Sequence, residues 1–443
     1  MKIAVLGYGK QGRAAIDYWQ VGNELTVCDK NELQDVPPAV NVISGDNYLA
    51  NLDSYDLIVR SPAIHPRDIV AANSERILRK VTTVTEEFFR TCPAPIIGVT
   101  GTKGKGTTST LIAKIIETSG DKVHLGGNIG IPPLDMLKDG IKPDDWVVLE
   151  LANFQLIDLR ISPKIAVCLM VEPEHLDWHT DIAEYINAKQ QLFIHQSSQD
   201  IAIFNRRSDL SASVVEVSPA LKLSYEVPEI GAQPVERNGA YVLGDDIYMD
   251  DVKVCSVSDV KLLGRHNLQN VCAAIAATWD LIDNDPAVIV SALHSLTGLP
   301  HRLEPVRTIN EVTFYNDSFS SAVGSSIAAM EAIHNPKVMI LGGYDRGLPI
   351  EQLVDAVQDV KNNVAKTLLI GTTGPQIAKA FDDKGFKNYQ LTDSKDIDTI
   401  VRKASGLAKP GDAIVLSPGF ASFDMFANFE DRGLKFKESV NKL

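Results

Sequence analysis

With 443 residues, 44% of them hydrophobic and 23% charged, the chain has room for about three domains and an ordinary globular composition, which excludes a disordered or fibrous protein. A net charge of −14 argues against nucleic acid held on the bulk surface, and five scattered cysteines without a Cys-x-x-Cys pair exclude a disulfide framework or a thiolate zinc site. The apolar run after Met1 is too short for a signal peptide and no later run approaches the roughly 18 residues of a membrane span, so a cytoplasmic protein without a membrane partner is expected.

Ile3–Leu6 reads as a buried strand leading into Gly7-Tyr8-Gly9-Lys10-Gln11-Gly12, a helix over Ala14–Trp19 and a second strand, Leu25–Cys28, that ends at Asp29. Gly-x-Gly-x-x-Gly with an acidic residue after the next strand is a dinucleotide fingerprint, although the same turn serves NAD and other phosphate-bearing ligands alike. A further strand, within Tyr55–Ile64, ends in the turn Ser61-Pro62. The Pro-rich joint Thr91–Pro95 marks a first boundary and Gly298–His301 a second, giving domains over 1–91, 92–299 and 300–443.

The strand Ile96–Val99 runs into Thr100-Gly101-Thr102-Lys103-Gly104-Lys105-Gly106-Thr107-Thr108 and then a helical pattern. Backbone N–H groups, a helix N-terminus and Lys105 turned to one point suit a polyphosphate. A strict P-loop would require Gly at Val99 and Ser or Thr at Gly106, so the hydroxyl comes one place later, from Thr107. Trp146–Leu151 and Ile165–Val171 read as further strands of a mostly parallel sheet, and residues 200–260 as a small, mostly β insertion. Glu150 ends a strand beside the loop, where Mg2+ needs an oxygen ligand. Glu172–His179 gathers carboxylates and histidines; Pro173 and the strand before it argue against a zinc-protease helix, His175 suits a polar metal-adjacent loop or a structural role more than a zinc ligand, and His179 reads as surface. Lys189, in the helical stretch Glu184–Phe193, reads by itself as a solvent-facing lysine.

A helix is expected from Asn267 to about Ile282. Beyond Arg302 strands recur at Val312–Tyr315, Val338–Leu341, Thr367–Ile370 and Ala413–Leu416. The turns Asn316–Ser318, Gly342–Arg346 and Ser417–Ser422 follow three of them and should converge on a pocket.

These motifs in this order, joined by Gly126–Gly130, Glu150–Leu156, Glu174–Asp177, Ala188-Lys189, His266–Asn270, Leu341–Gly343 and Ser417–Phe429, resemble the Mur ligase family over essentially the whole chain. The resemblance implies an α/β protein of three domains: Rossmann-like at the N-terminus, a central P-loop-type ATPase domain with a mostly parallel sheet, and a Rossmann-like C-terminal domain. It implies a monomeric bacterial ligase of peptidoglycan precursor synthesis that adds an amino acid, D-glutamate being expected, to UDP-N-acetylmuramoyl-L-alanine through an acyl phosphate made from ATP. A related ligase with another acceptor, or an inactive nucleotide-binding homologue, stays open.

Under it Gly9, Lys10, Gln11, Asp29, Lys30, Ser61, Pro62, Asn128 and Gln155 face the UDP-substrate, which takes the place of NAD. Gly101 to Thr108, Asn267, Asn270, Arg302 and Asp317 face ATP. Two Mg2+ sites draw on Thr107, Glu150, His175 and Lys189, the last as a carbamylated lysine, and Ser321, Arg346, Ser422 and Phe429 face the amino acid. The chain departs from the family pattern at Lys103, Gly106 and Asn153, and most consequentially at Phe319 and Arg346, which stand where lysines are usual. Arg346 can still fork onto a carboxylate, whereas Phe319 cannot.

Overall fold

The computed structural model describes every residue except Thr297. Five parallel strands, β1 (Lys2–Leu6), β2 (Glu24–Asp29), β3 (Asn41–Ser44), β4 (Leu57–Arg60) and β5 (Val81–Thr83), form a first sheet in the order β3-β2-β1-β4-β5. β1 is apolar from Ile3 to Leu6 because both of its faces are covered there: Ile3 and Val5 enter one core, Ala4 and Leu6 another. Gly7, at φ +86°, turns the chain out of β1, and Gly12 packs so tightly on it that a Cβ there would stand 2.0 Å from the Gly7 carbonyl oxygen.

The second sheet comprises β6 (Ile96–Thr100), β7 (Val123–Gly127), β8 (Trp146–Glu150), β9 (Ile165–Cys168), β10 (Ile201–Asn205), β11 (Leu221–Glu226), β12 (Ala240–Leu243), β13 (Asp246–Met249) and β14 (Val252–Ser256). Its order is β14-β13-β12-β11-β10-β9-β6-β8-β7. The expectation of a small β insertion over 200–260 is corrected, because β10, β11 and β12 continue the parallel sheet and only β13 and β14 return antiparallel. Ala202 and Ile203 point to opposite faces of β10 and both are fully buried, the mark of a central strand rather than of a satellite.

The third sheet comprises β15 (Glu304–Ile309), β16 (Val312–Asn316), β17 (Lys337–Leu341), β18 (Val364–Leu369), β19 (Tyr389–Leu391) and β20 (Ala413–Leu416) in the order β15-β16-β20-β17-β18-β19. Only β15 is antiparallel to its neighbour. All four strands expected after Arg302 are present, and the helix His266–Thr278 followed by a 3-10 turn over Trp279–Ile282 meets the expectation for that stretch. No helix among the described residues is long and apolar enough to cross a membrane.

Internal contacts divide the chain into two units, Met1–Asp259 with Leu268–Leu293, and Val260–Asn267 with His294–Leu443. The first unit carries the first two sheets, which share one core where Trp19 and Phe88 join the same cluster as Leu149 and Phe193, while a separate core covers the other face of the first sheet. The second unit carries the third sheet, with one core on each face.

Arg60, at the end of β4 and fully buried, ties the two sheets of the first unit together. Its Nε and Nη2 donate to Asp158 at 2.8 and 2.5 Å, Nη1 to the Ile64 carbonyl at 2.8 Å, and Nη2 also to the Phe154 carbonyl at 3.0 Å. Removing a buried, fully bonded guanidinium strands its acceptors, so Arg60→Leu is expected to lower the stability of the first unit by about 3 kcal/mol, read as a lower urea midpoint. An unchanged midpoint would show that this bridge contributes nothing.

Candidate active site

β6 lies between β8 and β9, so its C-terminal end opens where successive crossovers diverge, the place where open α/β sheets hold ligands. The loop Gly101–Gly104 leads from there into the helix Lys105–Ser119. Two of its positions require glycine. Gly101, at φ +146°, could carry a Cβ only 2.7 Å from that of Leu169, and Gly104, at φ +85°, one only 2.3 Å from Asn270 Oδ1.

The loop is pinned from below. Thr102 N donates to the Met170 carbonyl at 2.8 Å, and the Thr102 hydroxyl accepts from Glu172 N at 2.9 Å and shares a 2.8 Å bond with the Tyr185 hydroxyl. Lys103, exposed, pairs with Glu172 at 2.9 Å. Lys105 curls back, its Nζ donating to the carbonyls of Gly101 at 3.1 Å and Thr102 at 2.9 Å. In the first turn of the helix Gly106, Thr107 and Thr108 are all buried. The Thr108 hydroxyl donates to Asn270 Oδ1 at 3.2 Å, while the Thr107 hydroxyl is bonded to none of the described residues.

Glu150 is buried at the end of β8, level with Val99 of β6. Its Oε1 accepts from Asn128 Nδ2 at 3.1 Å, whereas Oε2 is buried without a hydrogen-bond partner among the described residues. A buried carboxylate oxygen left unpaired is costly, and a hard divalent cation is the partner its chemistry suits. The residues around it therefore fit Mg2+.

Lys189 corrects the expectation of a solvent-facing side chain: it is 1% exposed. Its Nζ donates to the Gly101 carbonyl at 3.1 Å and lies 4.5 Å from the centre of the Tyr185 ring. Burial first, and the charge of Lys105 second, hold its amine down to about 7.

Of the two histidines, His175 keeps a polar loop position, and His179 corrects the expectation of a surface side chain. His175 is exposed at φ +57°, its ring 4.8 Å from that of Phe154 and its Nε2 3.5 Å from Glu174 Oε2. His179, expected at the surface, is 2% exposed and packed by Phe154, Trp178 and Tyr185. It accepts from Asn153 Nδ2 at 2.7 Å and donates through Nδ1 to Glu184 Oε2 at 3.2 Å.

Gly9, Lys10, Gln11, Asp29, Lys30, Ser61 and Pro62 gather at the C-terminal ends of β1, β2 and β4. Asp29 Oδ2 accepts from Tyr8 N at 2.9 Å and so shapes the turn, while Gln11 Oε1 is buried without a hydrogen-bond partner among the described residues. Gln155 is committed inside the unit: Oε1 accepts from Ala152 N at 3.0 Å, and Nε2 donates to the Thr85 hydroxyl at 3.2 Å.

In the second unit the three expected turns meet. Gly342 N donates to the Pro418 carbonyl at 2.8 Å, Tyr344 N to that of Ala421 at 2.8 Å, and Gly419 N to that of Ser320 at 2.9 Å. Asp317 accepts from the hydroxyls of Ser320 and Ser417, both at 2.6 Å, and burial raises its carboxyl to about 6. Ser422 is buried, Ser321 and Phe429 are half-buried, and Arg346 is exposed with its guanidinium 5.5 Å from the Phe423 ring centre. Arg302 stacks over Phe319 at 3.7 Å, and Phe319 meets Phe429 edge-on at 5.0 Å. Asn267 Nδ2 donates to the Leu263 carbonyl at 2.6 Å. A cavity of about 420 Å3 in this unit lies along Gly371, Thr372, Leu391, Asp393 and Asp424, and the Thr372 hydroxyl of its lining donates to the Gly343 carbonyl at 2.9 Å.

Sequence reasoning passed over His65, Glu184 and Arg432. Arg432 is fully buried and donates to the carbonyls of Ser318 at 2.8 Å and Phe420 at 3.1 Å. One signal was legible: Asp181-Ile-Ala-Glu184 has capping-box spacing, and Asp181 does accept from Glu184 N at 2.8 Å.

Two family profiles match the chain, one described as the Mur ligase middle domain over residues 99–278 and one as the Mur ligase, glutamate ligase domain over residues 301–420. The chain is 34% identical over 454 residues to the UDP-N-acetylmuramoylalanine--D-glutamate ligase of Clostridium kluyveri, covering 100% of this chain and 97% of the relative. Its identity is 36% over 462 residues to the protein of the same name in Acetivibrio thermocellus, covering 100% and 96%. Among solved structures it is similar to the UDP-N-acetylmuramate-alanine ligase MurC of Thermotoga maritima, at a TM-score of 0.63 and 14% identity, covering 100% and 99% of the two chains. The MurF ligase of Thermotoga maritima in complex with ADP gives a TM-score of 0.59 at 17% identity, covering 99% and 95%. These two likenesses are of fold.

The loop register makes a prediction. Thr107→Ala removes a first-turn hydroxyl that no described residue binds and should cut Mg2+-dependent ATP turnover about 100-fold, whereas Thr108→Ala loses a single internal hydrogen bond and should lower stability by about 1 kcal/mol with little effect on turnover. Equal, small effects in a phosphate-release assay would refute the register.

Proposed function

The chain belongs to the Mur ligase family, and we propose that it joins D-glutamate to UDP-N-acetylmuramoyl-L-alanine with ATP, an amide-forming, ADP-forming reaction of peptidoglycan precursor synthesis. We place the domain joints at 91/92 and 299/300, with the UDP-substrate on the first domain, ATP on the second and the amino acid on the third. The reading is carried by the buried, unpartnered Oε2 of Glu150 beside a phosphate-type loop whose Lys105 and neighbour Lys189 converge on one carbonyl.

The substrate carboxylate takes the γ-phosphoryl group of ATP, becoming an acyl phosphate, and the amine of the amino acid displaces phosphate to leave the amide. Lys105 and the N–H groups of the first helical turn stabilise negative charge on the transferring group. Thr107 and Glu150 would hold one Mg2+, with His175 and Lys189 assisting a second; such ions neutralise phosphoryl and acyl oxygens and fix their geometry. An amine held down to about 7 is about half unprotonated, and so nucleophilic, at neutral pH. It therefore suits attack on CO2, in which the N–C bond forms, a proton leaves, and Lys189 becomes an anionic carbamate. Gly9 to Gln11, Lys30, Ser61-Pro62 and Asn128 would bind the UDP-substrate. Asn267, Asn270, Arg302 and Asp317 would bind ATP, and Ser321, Arg346, Ser422 and Phe429 the amino acid.

Phosphate release should require UDP-N-acetylmuramoyl-L-alanine, ATP, Mg2+ and an amino acid together, with D-Glu giving the largest rate in a panel that includes L-Glu and D-Asp. No turnover with any member refutes the ligase reading, and a different winner reassigns the acceptor. Lys189→Ala should lose most of the activity and regain part of it with added short carboxylic acids; a near-normal rate in this variant would remove Lys189 from the mechanism.

A further inference from the structure

A single oxygen of Glu184 gathers three donors from two segments of the first unit, His179 and Thr180 on one and His65 on the other. Oε2 accepts from Thr180 N at 2.8 Å, from His179 Nδ1 at 3.2 Å and from His65 Nε2 at 3.3 Å. The tautomers follow from the opposite ring nitrogens. His65 Nδ1 accepts from Arg67 N at 3.1 Å, capping the helix Pro66–Ala72, so its proton sits on Nε2. His179 Nε2 accepts from Asn153 Nδ2, so its proton sits on Nδ1. Burial, the first cause for each ring, lowers both histidines and favours these neutral forms.

One ring nitrogen each of His65 and His179 and a carboxylate oxygen of Glu184 lie within 4.8 Å of one another, a spacing that a metal ion can span. A metal, however, needs lone pairs where these two rings carry hydrogens, and at His65 the exchange would strip the cap from the following helix. The cluster is a hydrogen-bonded knot.

What the knot joins gives it meaning. His65 belongs to the segment after β4 that begins with Ser61-Pro62; Glu184 lies on the helix Ile182–Gln190 that carries Lys189; and Asn153 and Phe154 follow Glu150. Two further bonds run beside it, from Arg67 Nη2 to the Trp178 carbonyl at 2.7 Å and from Trp178 Nε1 to the Ala63 carbonyl at 3.4 Å. We infer that Glu184 is a positioning residue, acting through His65 and His179 to hold the UDP-substrate segment Ser61–Arg67 in register with the helix of Lys189. This rests on the ligase reading above and adds to it the residues that align its first two domains.

The test compares His65→Leu with His65→Gln in the full chain. Both variants lose the helix cap equally, but glutamine keeps an N–H donor at a reach similar to that of Nε2. His65→Leu should raise KM for UDP-N-acetylmuramoyl-L-alanine about tenfold with KM for ATP within about twofold, the loss of one charge-assisted bond, and His65→Gln should restore most of the difference. Glu184→Ala should reproduce the leucine variant. If His65→Leu does not fold, Glu184→Gln, which keeps the shape and loses the charge, should show the same one-sided rise in KM. Equal KM values in the two His65 variants, or parallel rises for both substrates, overturn the inference while wild-type turnover leaves the ligase reading intact. Absence of wild-type turnover instead overturns that reading. Stoichiometric Zn2+ binding by the wild type, abolished in His65→Leu, would overturn the knot in favour of a metal site.

Discussion

Two lysines donate to the one carbonyl oxygen of Gly101, Lys105 from the loop itself and Lys189 from a distant helix, each at 3.1 Å. Their ammonium groups therefore stand within about 6 Å of each other, where at an effective dielectric near 20 two full charges would repel by about 3 kcal/mol. The arrangement is tolerable only if one amine gives up its proton or an anion arrives between them. Lys189, the more deeply buried of the two, is the one that yields. The backbone at Gly101 fixes this meeting point, because its φ of +146° and the absence of a Cβ let the carbonyl face both amines while Leu169 packs behind.

Everything around that oxygen either positions it or balances its charge. β6 delivers the loop at the divergence of the second sheet, β8 delivers Glu150 with one oxygen uncommitted, and the Thr102–Tyr185 bond ties the loop to the helix that bears Lys189. The local field is thus uneven: two amines on one side of the loop and an unpaired carboxylate oxygen on the strand beside it. Such a field suits a ligand that is itself divided between phosphoryl oxygens and a divalent cation.

How much of this the sequence disclosed depends on whether the cause was local. The loop, the strand carrying Glu150 and the four parallel strands after Arg302 were legible, because glycine spacing and continuous apolar runs are properties of neighbouring residues. Lys189 and His179 were misread because burial against another segment leaves no trace in the periodicity of their own: Lys189 is covered by the loop some 88 positions earlier, and His179 by Phe154 and Asn153. The stretch 200–260 was misread because turn-rich composition resembles an insertion, although the pairing of β10 with β9 was decided by long-range contacts. Glu184 was hidden for the same reason, since its partner His65 lies 119 positions away.

The depressed amine of Lys189 also has a thermodynamic sign. Its folded value of about 7 lies below the ordinary lysine value of 10.5, so between those limits the unfolded chain binds more protons than the folded one, and stability rises as pH climbs through that window. Below it the fold carries a buried cation at full cost, with the Gly101 carbonyl as its hydrogen-bond acceptor and no carboxylate within hydrogen-bond reach of Nζ among the described residues. A side chain retained at that cost is poorly explained by packing, since a methionine would fill the same volume without the penalty. It is better explained by chemistry that needs the amine, and converting it to an anion would exchange repulsion toward Lys105 for attraction. One modification would then reverse the electrostatic logic of the loop. The buried lysine and the unpaired oxygen of Glu150 become two parts of one cation-holding arrangement rather than two separate defects of an otherwise satisfied core.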